Sequence, residues 1–132
     1  MIPRALWHYI AALYFAFQSL VASFWWLILL VEPRARPLFR PTGTPDSALF
    51  SFLLPDALFF IGAALWSALR LVKNPRSARV PLVVHLSATA YAALFCLSQT
   101  LLTGEAALAT ILMLGSLLCG GFLARKAVFS SD

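Results

Sequence analysis

Long apolar blocks separated by short polar breaks dominate the chain, at about 5–31, 48–72, 80–102 and 105–125. A bilayer has a hydrocarbon core about 30 Å thick, and a helix needs roughly 20 apolar residues to cross it. Each block is long enough. Strict apolar/polar alternation, the mark of a membrane-spanning strand, is absent. The pattern therefore predicts an all-α integral membrane four-helix bundle, antiparallel, in one domain over 1–132.

The breaks have their own chemistry. The first, at 32–45, holds Pro33, Pro37, Pro41 and Pro45, and proline ends helices because it lacks an N–H and clashes with the preceding turn. Asp46 or Ser47 is expected to N-cap the second helix. Pro55 is expected either to kink that helix or to mark its true start, after an interfacial stretch at 49–54. The second break, at 73–79, is short and basic, and the third is a tight turn at Thr103-Gly104. Glu105 is expected to cap the fourth helix and complement its dipole, with an ion pair to the first-loop arginines as a further option.

Composition supports lipid as the solvent. Hydrophobic residues make up 61% of the chain and charged ones 11%, against about 25% charged in soluble domains. The first block is too long for a signal-peptide core of about 7–15 residues, so it reads as a retained helix. The net charge of +5 sits at helix ends. Arg4, Arg70, Lys73, Arg76, Arg79, Arg125 and Lys126 fall on one side of a four-helix topology, and Arg34, Arg36 and Arg40 on the other. The positive-inside rule then puts both termini in the cytoplasm and the proline-rich loop outside. The same placement accounts for the basic charge without nucleic acid.

Cofactor chemistry finds no footing. At about 1.5 Å rise per residue, Cys96 and Cys119 differ in depth by roughly 12 Å, too far for a disulfide. No Cys/His spacing fits a metal, and His8 and His85 make a poor haem pair. No triad, phosphate loop or paired carboxylates occur, so no catalytic residue and no cofactor is assigned.

The polar residues inside the blocks carry the information. A mid-membrane Asp costs about 2.5–3.5 kcal/mol. Asp56 shares a helical stripe with Phe59, Phe60, Ala63 and Ser67. It is either a helix-start carboxylate beside Pro55 or a polar anchor in an apolar pocket. The third helix has two polar stripes, one of His85, Thr89, Cys96 and Gln99, the other of Ser87, Tyr91 and Ser98. One should face the bundle, and the other a neighbouring helix, a second protomer or headgroups. His85 is either a satisfied or snorkelling histidine or a ligand contact. Gln18 shares its face with Tyr14, Ala22 and Trp25, as interhelical glue or pocket lining. Trp7, Trp26 and Trp66 read as interfacial belt residues. Gly115-xxx-Cys119 is a small-xxx-small pattern that permits close helix approach.

Several of these segments resemble the EXPERA superfamily, which includes the emopamil-binding sterol isomerase and the sigma-2 receptor. Ser51-Phe52-Leu53-Leu54-Pro55-Asp56-Ala57-Leu58-Phe59 resembles the start of a family second helix, with Asp56 at an acidic pocket position. Asn74-Pro75 with Leu82-Val83-Val84, and Val84-His85 with Thr89, resemble the following turn and third helix. Leu13-Tyr14-Phe15 and Leu20-Val21 with Trp25 resemble parts of the first helix. Where the family has a first-helix histidine and acid, this chain has Gln18 or Ser19, then Ser23 or Trp26. The resemblance implies an intramembrane pocket for a sterol-like or other hydrophobic small molecule, without the full isomerase set. The candidate ligand-binding residues are Asp56, Gln18, Trp25, Phe59, Phe60 and one third-helix stripe, either His85 with Thr89 or Tyr91 with Ser87. Phe95 would join Phe59 and Phe60 around the hydrocarbon body. The alternative is a non-catalytic subunit or assembly factor of a larger membrane complex. Expected partners are accordingly a membrane lipid or hydrophobic ligand, with a homodimer or a membrane-protein partner also compatible.

Overall fold

The computed structural model of the chain describes residues 3–129. Every regular element among them is helical, and four helices are long and apolar enough to cross a membrane. The first, α1, runs Arg4–Val31. At about 1.5 Å per residue its 28 residues span roughly 42 Å, more than a hydrocarbon core needs, a mismatch that tilting absorbs. It stops where Glu32 precedes Pro33, because a residue before proline is pushed out of the α region; Glu32 is extended, at φ −121° and ψ 93°. A short 3₁₀ helix, Pro33–Leu38, follows. From it Arg36 reaches back, Nε donating to Leu29 O at 2.8 Å and Nη2 to Leu30 O at 3.2 Å. These are open carbonyls at the C-terminus of α1, where a cation is favoured.

The second helix, α2, spans Asp46–Lys73 in pieces. A first piece, Asp46–Phe50, gives way to a turn at 51–52, and Leu53–Pro55 follows. Asp56–Gly62 is then π-helical, and Ala63–Lys73 is regular α-helix. Pro55 explains the break before it, since its ring cannot tolerate a regular carbonyl at position i−4, Ser51. Both expectations for Pro55 are thus partly met. A short segment precedes the proline, and the geometry changes after it.

The third helix, α3, runs Arg79–Thr103 behind a 3₁₀ turn, Pro75–Ala78. It closes on Gly104 at φ 73°, whose N–H bonds Thr100 O at 2.8 Å, the left-handed terminus that glycine adopts most readily. The fourth, α4, spans Ala107–Phe129, with Arg125–Phe129 in π geometry.

The two ends of the bundle differ. At the loop end the Thr42 N–H donates to Glu105 Oε2, joining the proline-rich loop to the α3–α4 turn. Thr100 and Thr110 hydroxyls pair at 2.8 Å beside it. At the basic end Pro75–Ala78 packs against Arg125–Phe129. The packed core lies toward this end: Ala11, Ala12 and Phe15 of α1 meet Ala64, Ala68 and Leu71 of α2, Leu82 of α3, and Ala124, Ala127 and Val128 of α4. Small side chains let the backbones approach closely there.

Three expectations are corrected. Asp46 and Ser47 do not cap α2; Pro45 occupies the cap without a side-chain bond, and Asp46 pairs with Arg36 and Arg40 at 2.6 and 2.7 Å. Two guanidinium groups outbid backbone amides for the carboxylate. Glu105 does not cap α4, whose cap is Ala106, because its carboxylate is taken by the loop N–H. Gly115 and Cys119 are exposed, and Gly120 makes the close approach instead: a Cβ there would lie 3.3 Å from Leu86 Cδ2 and 3.5 Å from Phe15 Cε1.

Candidate functional site

Toward the loop end the helices separate around a cavity of about 260 Å³, just under the roughly 300–1,000 Å³ of typical ligand pockets. All four helices and the first loop contribute. Its walls are mostly apolar, chiefly Phe52 and Phe60 of α2, Phe95 of α3, and Leu112 and Met113 of α4. Phe52 and Phe95 meet with ring centroids 4.9 Å apart. Phe39, Arg40 and Thr44 of the loop close one side.

Few polar groups interrupt this wall. Asp56 is one, half-buried, with Oδ2 accepting from Trp26 Nε1 at 3.2 Å. The carboxylate is therefore not alone in the bilayer, as its isolation in sequence implied. Its other oxygen takes no hydrogen bond among the described residues. Trp26 is 3% exposed and packs edge-on against Trp25, at 4.9 Å between centroids. Trp25 in turn meets Phe39 at 5.2 Å.

Behind the cavity lies a second polar cluster, around His85 at 1% exposure. The π-helical stretch of α2 supplies its backbone acceptors. A π turn offsets the backbone hydrogen-bond ladder, and two α2 carbonyls bond side chains of other helices. Ile61 O accepts from Ser19 Oγ at 3.1 Å, and Phe60 O accepts from His85 Nδ1 at 2.9 Å. Nδ1 is thus the protonated nitrogen. A buried imidazolium with no carboxylate against it would be costly, so the ring is neutral and Nε2 is an acceptor. Gln18 Oε1 lies 3.1 Å from Nε2, and two acceptors repel. Turning the amide through a half-rotation, which exchanges atoms of nearly identical shape, lets its NH₂ donate to Nε2. Thr89 completes the cluster, its hydroxyl donating to His85 O at 2.8 Å. Phe15 and Phe60 pack against the imidazole at 5.4 and 4.8 Å.

Of the residues singled out in the sequence, Gln18, Trp25, Asp56 and Phe60 line the cavity, together with Phe95. His85 and Thr89 are fully buried one layer behind and reach it through Gln18. Phe59 and Tyr91 lie outside it, 53% and 64% exposed on the outer surface. Of the two α3 stripes, His85 with Thr89 faces inward, and Ser87, Tyr91 and Ser98 face out. The sequence reading missed Trp26, Arg40 and Thr44. Trp26 had a signal, since it falls eight residues after Gln18 on the Gln18–Ala22 stripe. The loop residues had none.

The arrangement is an apolar chamber with one carboxylate and scattered N–H and hydroxyl groups in its wall. Among the described residues no three His, Cys, Asp or Glu side chains converge as a metal site would require. Comparison with known proteins adds no assignment, since no family model, no curated protein and no solved structure matches the chain.

Proposed function

We propose that this chain is a small multi-pass membrane protein that binds a hydrophobic molecule of lipid or sterol-like character inside its helix bundle. One observation carries the reading: an apolar cavity shared by four membrane-length helices has a carboxylate, Asp56, in its wall. Ligand sites generally combine apolar walls with few polar groups, and ionisable residues at membrane depth mark function more often than structure. The unbonded oxygen of Asp56 would receive a ligand hydroxyl or amine. The local resemblance to the EXPERA superfamily points the same way. In this reading the helices alternate in direction, both termini are cytoplasmic, and the loop end faces outward. No catalytic role is assigned.

Native mass spectrometry of wild type and Asp56→Ala, with extraction of co-purifying lipids, tests this reading. Wild type should carry a defined small hydrophobic molecule that the variant loses. A variant that folds normally and keeps the same molecules removes Asp56 as the anchor.

A second reading has its own observation. Ser87, Tyr91 and Ser98 form a polar stripe on the outward face of α3, where lipid offers no hydrogen bonds. Such a stripe fits a partner helix, as in a subunit or assembly factor of a larger complex or in a homodimer. Mild-detergent purification discriminates: a stoichiometric second protein favours the complex, and a monomer carrying lipid counts against it.

A further inference from the structure

Three of the four seams between helices are tied beside the cavity. Trp26 and Ser19 of α1 bond the Asp56 carboxylate and the Ile61 carbonyl of α2. Phe52 of α2 meets Phe95 of α3, and Thr100 of α3 bonds Thr110 of α4. The seam between α1 and α4 differs. Tyr14 OH donates to Ser116 O across it at 3.1 Å. From that bond toward the loop end, no hydrogen bond joins the two helices among the described residues. Helical spacing says what lies there. Val21 falls seven residues after Tyr14 on the same stripe of α1, whereas Trp26 repeats Ser19 on the stripe that faces α2. Leu112 falls one turn before Ser116 on α4. Both Val21 and Leu112 line the cavity, yet they are 48% and 49% exposed. The other lining residues are buried or partly buried. A side chain that belongs both to the cavity wall and to the outer surface marks a rim.

From this we infer that the α1–α4 seam is a lateral doorway and that the occupant is a long-chain lipid. Its hydroxyl or amine head sits at Asp56, and its tail leaves between Val21 and Leu112 into the bilayer. This rests on the pocket reading above and chooses a chain over a compact sterol-like body. Depth agrees. Asp56 lies ten residues in from Asp46, and Val21 ten in from Val31, so at about 1.5 Å per residue both sit roughly 15 Å from the loop end of their helices. Volume agrees as well, because a cavity of about 260 Å³ is smaller than those that enclose a whole ligand. Lipid tails are as apolar as the side chains they touch, so a tail loses little by lying partly in each. Recognition then falls on the head. The doorway is bounded at both ends, by Tyr14 and Ser116 toward the core and by the Thr42–Glu105 bond on the loop side, and it faces hydrocarbon.

Binding to the chain in neutral-lipid nanodiscs tests this. The probes are hexadecanol and hexadecylamine, each plain and with a pyrene at the far end of the tail, and cholesterol. A plain chain and its tagged form should bind within about threefold of each other, because the tag stays in lipid. Val21→Trp and Leu112→Trp narrow the doorway from half-exposed positions and should slow association about tenfold. Leu118→Trp, on the outer face of α4 at 72% exposure, should leave it unchanged. The tag comparison uses the wild type and decides alone if a doorway variant folds poorly. Loss of binding on tagging, or an association rate that neither doorway variant changes, means that the ligand is closed inside the bundle; the doorway is then wrong while the pocket stands. Binding of cholesterol but of neither plain chain has the same meaning. Binding of none of the probes overturns the pocket reading as well.

Discussion

Trp26 Nε1 donates to Asp56 Oδ2 at 3.2 Å, a side-chain bond between α1 and α2 across thirty positions of sequence. The indole is nearly inaccessible and the carboxylate only half-buried, so the bond serves two needs. It satisfies the N–H in the protein interior and holds the carboxylate at the cavity edge. Removing the donor by Trp26→Phe should destabilise the fold by about 1–3 kcal/mol, the cost of an unmatched buried polar group. Paired with Asp56→Leu, the double-mutant cycle should show coupling, read from thermal unfolding in detergent. Purely additive effects would mean that the two side chains do not interact.

His85 ties three helices together, bonding Phe60 O of α2 and Gln18 of α1 from α3. His85→Leu fills similar space but strands both partners. The expected loss is about 2–4 kcal/mol, since each stranded group costs on the order of 1–3. His85→Asn, which keeps a donor, should lose less. Equal losses for both variants would show that packing, not hydrogen bonding, sets the requirement.

Ala106 stands at φ 60°, ψ 26°, a left-handed conformation that costs a residue with a Cβ roughly 1–2 kcal/mol. Ala106→Gly releases that strain but adds unfolded-chain freedom worth about 0.4–1 kcal/mol. The strain is the larger quantity, so the glycine variant should be more stable by about 0.5–1 kcal/mol and Ala106→Val less stable than wild type. A destabilised glycine variant would contradict the left-handed turn.

Topology is open to direct labelling. Thr42 and Ser77 lie at opposite ends of the bundle, Thr42 bonded to Glu105 and Ser77 in the basic turn. With the two native cysteines replaced, a cysteine at 42 should react with a membrane-impermeant maleimide from outside intact cells. One at 77 should react only after permeabilisation. The reverse pattern would invert the proposed orientation.

Much of the architecture was legible because lipid imposes simple demands. Long apolar runs became four helices, and the prolines at 33, 37, 41 and 45 became the long loop. Asp56 and Gln18 stood out because polar groups are expensive in hydrocarbon, and both line the cavity. Other features left no such trace. Arg40 and Thr44 sit in a loop, where no period says which way a side chain points. Phe59 and Phe60 were indistinguishable on an ideal α-helix, but the π geometry of Asp56–Gly62 widens the turn and keeps residue i+4 rather than i+3 on the face of Asp56. The two α3 stripes were equally polar on paper. Burial favoured His85 because the π stretch presented it with a carbonyl, whereas Tyr91 found none among the described residues.

The alanine packing at the basic end has a mechanical consequence. Small side chains bring the backbones close in that half of the bundle, while the chamber half is held by longer side chains: the Trp26–Asp56 and Thr100–Thr110 hydrogen bonds, the arginine pairs with Asp46, aromatic contacts, and the loop-to-turn bond from Thr42 to Glu105. Local opening is easiest where buried contacts are fewest. In the proposed binding role, entry of a molecule from the membrane would therefore have to break contacts at the chamber end while the Ala11, Ala64 and Ala124 layer stays packed.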